Sequence, residues 1–219
     1  TDPATFARLT ETIIRQVGDL RRMVDEFSNF ARMPKPVFRE ENVHEIARQA
    51  LFLHEVAHPG LTFTIDPPEG QFAMVCDRRQ LSQALTNVVK NAVEAIETRR
   101  NRGEHSLAGD RVELRVRGED EQIVIDVMDT GIGLPEDRER LTEPYMTTRV
   151  RGTGLGLAIV KKIVEEHMGE IAFLDRKGGG THVRIAFDAE RLARLASEAT
   201  AESGEVGEPK DDDNVKDIS

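Results

Sequence analysis

Three short blocks, Asn87-Val88-Val89-Lys90-Asn91, Asp129-Thr130-Gly131-Ile132-Gly133 and Gly152-Thr153-Gly154-Leu155-Gly156-Leu157, constrain this chain more than any other feature. Asn87 and Asn91 stand four apart in a helical pattern, so both amides leave one face and can offer oxygens to a hard cation. Magnesium accompanied by phosphates is the natural guest of such a pair. Asp129 ends the strand-like run Gln122-Ile123-Val124-Ile125-Asp126-Val127-Met128, where its carboxylate can accept a hydrogen bond from an exocyclic amine such as that of adenine. Gly131 and Gly133 let the backbone turn closely past a flat base. The glycines of the third block precede the apolar stretch Leu155 to Val160, so free amides at a helix start can face phosphates. Each block alone is an ordinary solvent-facing amide pair or turn. Their joint order and spacing describe a pocket for Mg-ATP.

With these blocks, Glu143-Pro144-Tyr145-Met146-Thr147-Thr148-Arg149 and Gly178-Gly179-Gly180-Thr181 complete a resemblance to the sensor histidine kinases, whose Bergerat-type ATP-binding domain is shared with gyrase, Hsp90 and MutL. The blocks resemble the N, G1, F and G2 boxes and the last glycine-rich turn before the closing strand, and the resemblance covers roughly residues 1 to 188. Ser28-Asn29-Phe30-Ala31-Arg32-Met33-Pro34 and Leu141-Thr142-Glu143-Pro144-Tyr145 look most like the NtrY type of the nitrogen-regulation branch. The F box departs from the commoner pattern at Thr142 and Tyr145, where phenylalanine is usual, which bears on lid packing.

The resemblance implies a function and a set of site residues. Asn91 would be the principal magnesium ligand and Asn87 its helper, and both would count as catalytic. Asp129 would contact adenine with Thr181 as its partner, and Gly131 and Gly133 would border the base. Lys90, Thr148, Gly152, Thr153, Gly154, Leu155, Gly156 and Leu157 would complete the nucleotide site, and Gly133 to Gly152 would form a mobile ATP lid. Gyrase and Hsp90 relatives carry a glutamate base at the position of Asn87; an asparagine amide cannot take a proton from water usefully, so futile hydrolysis should be slow. Positioning and charge neutralisation then favour transfer to a better nucleophile. In this family that nucleophile is a histidine, which passes the phosphoryl group to an aspartate on a response-regulator receiver domain, here of NtrX-like type.

The acceptor histidine is not evident in the expected place. His44, His54, His58, His105, His167 and His182 all follow the first helix, expected from Asp2 to Ala31. That helix repeats Phe6, Ile13, Leu20 and Phe27 at one heptad position and Thr10, Val17, Val24 and Ala31 at another, with Leu9, Met23 and Phe30 widening the stripe. Three positions per heptad suit a helical bundle. The segment 1–33 resembles the second helix of a dimerisation and phosphoacceptor domain, so the first helix with its histidine is expected upstream, and the intact protein is expected to be a homodimer. Residues 34–190 are expected to form the catalytic domain and 191–219 a short helix followed by a disordered acidic tail, from about Ala201, containing Asp211-Asp212-Asp213.

The formal net charge of −10 argues against a nucleic-acid surface. No apolar run approaches a membrane span or signal peptide, so any membrane anchor, as expected for an inner-membrane sensor, would lie upstream. The lone Cys76 favours a reducing, cytoplasmic setting and a packing role.

Met33-Pro34-Lys35-Pro36 breaks the first helix and marks the domain boundary. An extended segment to Asn42, a helix from His44 to Ala57 and strands near Leu61 to Ile65 and Phe72 to Asp77 follow. Asp77 with Gln80 makes a capping-box-like start for the helix bearing Asn87. Arg99 to Gly109 reads as a loop, then strands at Arg111 to Arg117 and Gln122 to Asp129, a helix from Gly154 to His167, and strands at Glu170 to Leu174 and Thr181 to Phe187. The sum is an α/β sandwich, a mixed sheet with helices on one face.

Two rival functions are compatible with parts of the sequence. One is a nucleotide-binding interaction module without catalysis. The other is a zinc protease, because His54-Glu55-Val56-Ala57-His58 matches a motif that binds zinc through two histidines, although Pro59-Gly60 ends its helix. His167, near a helix end where a cation is favoured, reads as structural or surface.

Overall fold

Alternating apolar residues on the central strands decide the architecture. Val112, Leu114 and Val116, then Ile123, Ile125 and Val127, then Val183, Ile185 and Phe187 are all buried on one face of a sheet. Period two puts these residues on the same side, and three amphipathic helices cover them. The computed structural model describes residues 2–106, 109–144 and 154–204.

In chain order the elements are α1 (Pro3–Ala31), β1 (Arg39–Asn42), α2 (Val43–Ala57), β2 (Thr62–Asp66), β3 (Ala73–Cys76), α3 (Arg78–Asn101), β4 (Arg111–Glu119) and β5 (Gln122–Asp129). A 3₁₀ turn (Glu139–Thr142), α4 (Gly156–Glu166), β6 (Gly169–Asp175), β7 (Thr181–Asp188) and α5 (Ala189–Gly204) complete them. The main sheet has five strands in the order β2-β4-β5-β7-β6, parallel between β2 and β4 and antiparallel elsewhere. Helices α2, α3 and α4 pack side by side over it. The expected mixed α/β sandwich is therefore present.

Several boundaries differ from the sequence reading. The two strands expected after α2 do not share a sheet: β2 joins the main one, whereas β3 pairs with β1 in a separate two-stranded ladder. Helix α3 runs through Arg99 and Arg100 to Asn101, so the expected loop at Arg99 starts later. Helix α4 begins at Gly156, two residues beyond the expected Gly154, which has a left-handed φ of 70°. The terminal helix is longer than expected, taking in residues 201–204 of the segment read as disordered; residues 205–219, with Asp211-Asp212-Asp213, lie outside the described residues.

Asp77 caps α3, its carboxylate accepting from the Gln80 backbone N–H at 3.0 Å and from the Val37 N–H at 2.9 Å. These donors hold its carboxyl below the usual value against the burial that would raise it. The reciprocal half of a capping box is not formed. The Gln80 side chain instead donates to the Pro34 carbonyl at 2.9 Å, tying the break after α1 to the start of α3. Cys76 is buried, and burial first, then Glu41 and Asp77, pushes its thiol up to about 12, which makes it a packing residue.

Of the two readings of His167, structural or surface, the structural one holds, and the ring is not a helix-end cation. It is fully buried between Phe38 and Phe187, and its Nε2 accepts from the Asp77 N–H at 3.0 Å while Nδ1 bonds the Ile163 carbonyl at 2.8 Å. Accepting at Nε2 requires the neutral ring, and burial lowers its pKa accordingly. A base with a depressed folded pKa contributes stability that is full above its unfolded value of 6.5 and is lost as pH falls below it. We expect His167→Gln to cost about 1–3 kcal/mol at neutral pH through the broken buried bonds. The deficit relative to the parent should narrow as pH is lowered from about 7.5 to 5 in urea-unfolding series. A deficit that stays constant over that range contradicts the neutral, bridging imidazole.

Helix α1 contrasts with the rest. Asp2 caps its start, but its apolar stripe is open to solvent, with Phe6 at 65% and Ile13 at 62% exposure and Leu9, Val17, Leu20, Val24 and Phe27 also exposed. Its end meets the sandwich, where Phe30 and Met33 pack against the core and the Lys162 ammonium lies 5.3 Å from the Phe30 ring centroid.

Candidate nucleotide site

The site is organised by α3, which carries Asn87, Lys90 and Asn91 and whose apolar face is locked into the core through Leu85, Val88, Val89, Ala92 and Ile96. Asn87 and Asn91 are half-buried on the same side of the helix, while Lys90 is exposed and 4.0 Å from Glu94. The Asn87 amide nitrogen donates to the Gly156 carbonyl at 3.4 Å, so the amide pair stands beside the first turn of α4. Among the described residues no side chain caps that turn, and Leu155 before it is fully buried, fixing the helix start as a fold element. Uncapped amides at a helix N-terminus attract anions. Gly156 and Leu157 are half-buried in that first turn.

The other end of the site is the turn after β5. Asp129 is 4% exposed, and its Oδ1 accepts from the Gly131 N–H at 2.7 Å and the Thr181 N–H at 3.3 Å. Thr181 is thus the partner of Asp129, brought across by the ladder between β5 and β7. Burial drives the Asp129 carboxyl up to about 6 despite the Gly131 and Thr181 donors and the nearby Arg176 charge. Backbone crowding explains the glycines. A Cβ on Gly131 would lie 2.5 Å from the Ala95 Cβ, and one on Gly180 would lie 1.9 Å from the Asp129 carbonyl oxygen. Gly133, with φ +81°, runs beside the Gly180 carbonyl. Ile132 N–H donates to the Ala95 carbonyl, so the turn is hung on α3 one helical turn beyond Asn91.

One helix therefore connects the amide pair, the uncapped start of α4 and the buried carboxylate. Gly154 is half-buried just before α4 and Leu155 belongs to the core, whereas Thr148, Gly152 and Thr153 lie outside the described residues, as does Tyr145 to Arg149 of the F-box segment. The described part of the expected lid is not wholly irregular: its 3₁₀ turn packs against α4, and Arg138 bonds Asp175 at 2.9 Å.

The His54/His58 pair has a different use. The rings stack at 6.0 Å, His58 Nδ1 bonds the carbonyl of His54 in its own helix at 2.9 Å, and Glu97 lies 3.9 Å from His58 Nε2. Among the described residues no group of three His, Cys, Asp or Glu side chains could hold a metal ion, so the protease reading has no support in the geometry.

A mixed sheet covered on one face by α2, α3 and α4, with amides on the middle helix and a buried strand-end carboxylate, defines an ATPase-type α/β sandwich. The chain belongs to the histidine kinase-, DNA gyrase B-, and HSP90-like ATPase family, whose sequence profile matches residues 76–191. It is 52% identical over 195 residues to the nitrogen regulation protein NtrY of Azorhizobium caulinodans, an alignment covering 86% of this chain and 24% of that protein. It is 34% identical over 192 residues to a putative NtrY-like sensor histidine kinase of Rickettsia typhi, covering 87% of this chain and 31% of that one. The chain thus spans about a quarter to a third of the length of these curated relatives. Among solved structures, the nucleotide-free catalytic domain of histidine kinase ThkA superposes with TM-score 0.59 at 25% identity, covering 70% of this chain and 96% of that domain. Full-length ShkA in complex with AMPPNP superposes with TM-score 0.64 at 25% identity, covering 83% of this chain and 38% of that one.

Proposed function

We propose that this chain is the Mg-ATP-binding catalytic unit of an NtrY-like sensor histidine kinase, with one helix of its dimerisation bundle attached. The observation that carries the reading is an asparagine at position 87, donating its amide to Gly156 at the mouth of the site where hydrolytic relatives place a glutamate base. The donor set fits the cofactor: two neutral amides suit a magnesium ion whose charge is balanced by phosphates, uncapped α4 amides suit the phosphates, and a buried carboxylate between glycine turns suits a flat base. Asn91, assisted by Asn87, would hold the ion; Gly152, Gly154 and Gly156 would approach the phosphates; Asp129 and Thr181 would hold adenine. ATP would supply the γ-phosphoryl group and magnesium the charge neutralisation. The chain's own contribution is to orient these groups without activating water.

In the intact protein the phosphoryl group would pass to a histidine and then to an aspartate of an NtrX-like receiver domain. Residues 1–33 would belong to the dimerisation bundle, the exposed stripe on α1 being the face a homodimer covers. Residues 34–190 would be the catalytic domain. Among the described residues no helix is long and apolar enough to cross a membrane, so an inner-membrane anchor would belong to other parts of the parent.

Incubation of the parent protein with γ-labelled ATP tests this. Label should appear as acid-labile phosphate on histidine. In Asn91→Ala it should be reduced at least a hundredfold, and ADP binding by that variant should no longer respond to chelator. Acid-stable label, or release of inorganic phosphate with no labelled protein, contradicts the kinase reading. An unchanged magnesium response in Asn91→Ala contradicts the ligand role.

A further inference from the structure

Arg99 lies in the stretch that reads as a polar loop from sequence, yet it is 5% exposed and sits inside α3. A buried guanidinium is retained only where it is paired and hydrogen-bonded. Here it bonds the carbonyl oxygen of Thr130, the residue after Asp129, and the carboxylate of Asp110, the residue before β4. Three further bonds tie the same corner together. The Arg111 N–H donates to the Thr130 hydroxyl at 3.0 Å, the Thr130 N–H to the Arg111 carbonyl at 3.2 Å, and the Thr62 N–H to the Asp110 carbonyl at 3.0 Å.

The Asp129 turn therefore has two attachments to α3: the Ala95 carbonyl, which takes the Ile132 N–H, and the Arg99 fork. Ala95 and Arg99 follow Asn87 and Asn91 at four-residue intervals along one helix, each step rising about 6 Å and turning about 40°, so the two attachment points lie further along the same rigid element as the amide pair. The turn after the buried carboxylate is thus tied to the helix that carries the amide pair, in addition to the β4 and β7 partners that hold Asp129 in the sheet.

We propose that Arg99 is a positioning residue for the base end of the nucleotide site. Its planar fork holds the Thr130 carbonyl against α3, and so sets where the Asp129 carboxylate stands relative to Asn87 and Asn91. This inference rests on Asp129 being the adenine contact. A lysine keeps the charge but cannot bridge both acceptors in the fork geometry. Arg99 would touch neither the base nor the phosphates; it acts through Asp129.

The test compares ADP and GDP binding by calorimetry, in magnesium, for the parent, Arg99→Lys, Asp110→Asn and the double variant, with thermal melting of each. A displaced carboxylate reads as lost base preference: the ADP-over-GDP ratio should fall about tenfold in Arg99→Lys and in Asp110→Asn. The double variant should lose little more than Asp110→Asn alone, because that single variant already weakens the Arg99 bridge along with the Arg100 bond that Asp110 also makes. A ratio unchanged from the parent overturns the proposal, whether the variants melt lower or not, since a purely structural role weakens both nucleotides alike. Asp129→Asn run alongside separates the two assignments. If that variant keeps the parent's ADP preference, the adenine assignment fails and the Arg99 proposal with it; if it loses the preference while Arg99→Lys keeps it, only the Arg99 proposal fails.

Discussion

Asp129→Asn should weaken ADP binding at least a hundredfold, to the level of GDP, and stabilise the fold at the same time. Both backbone donors, Gly131 and Thr181, bond the single oxygen Oδ1, so an asparagine carbonyl can replace it without stranding either N–H. What disappears is the buried charge. The carboxyl is raised from 3.8 to about 6, so its ionisation costs the folded state about 3 kcal/mol above that pH, and the cost is relieved as pH falls from 6 towards 3.8. The neutral variant should recover about 1–3 kcal/mol at pH 7.5, a rise of roughly 2–10 °C in melting temperature. Binding should fall at least a hundredfold, because an amide that spends its oxygen on the two backbone donors presents its NH₂ toward the exocyclic amine of the base. The same charge sets the pH dependence of the parent: ADP affinity should be flat above about 6 and weaken by up to tenfold per unit below it. A variant that is less stable than the parent, or one that binds ADP normally, contradicts this account.

Gly180→Ala should be the most damaging small substitution in the site. Its φ of +98° is a conformation that L side chains rarely adopt, and the added Cβ would lie 1.9 Å from the Asp129 carbonyl oxygen, a backbone atom in the central sheet. The strand end or the 178–180 turn must move, and either movement carries the Thr181 N–H off Asp129. We expect a loss of about 3 kcal/mol or more, with nucleotide binding reduced at least tenfold. Gly178 has a similar φ of +89°, but a Cβ there would meet nothing within 4 Å, so Gly178→Ala should cost only the conformational term, about 1–2 kcal/mol. Urea unfolding and ADP titration of the two variants check the contrast. Equal effects would mean that backbone strain alone, not the contact with Asp129, makes position 180 special.

Much of this is legible in the sequence. Period-two burial on β4 and the Asp77 cap are local patterns, and both appear as expected, whereas β5, expected to alternate, is buried continuously from Ile123 to Val127. The pairing of Asp129 with Thr181 is legible only through family resemblance, because 52 residues separate them and the antiparallel ladder between β5 and β7 brings them together. Other features have no local signal. Whether a short strand such as β3 joins the main sheet or pairs with β1 depends on tertiary choice and not on its own alternation. Arg99 reads as a loop residue because charged residues default to the surface, and only Thr130 and Asp110, which meet it in the fold, reveal its burial. His167 reads as structural or surface, near a helix end where a cation is favoured; that it is structural and neutral follows only from the Asp77 N–H, 90 residues away.

Whether α3, the start of α4 and Asp129 form one magnesium-dependent nucleotide site is tested most directly by calorimetric titration of ADP into the chain, first with magnesium and then with chelator. The expected result is saturable binding at one nucleotide per chain, weakened at least tenfold by chelator. Binding that ignores chelator would contradict the role of the amide pair, and absence of binding with magnesium present would contradict the site itself.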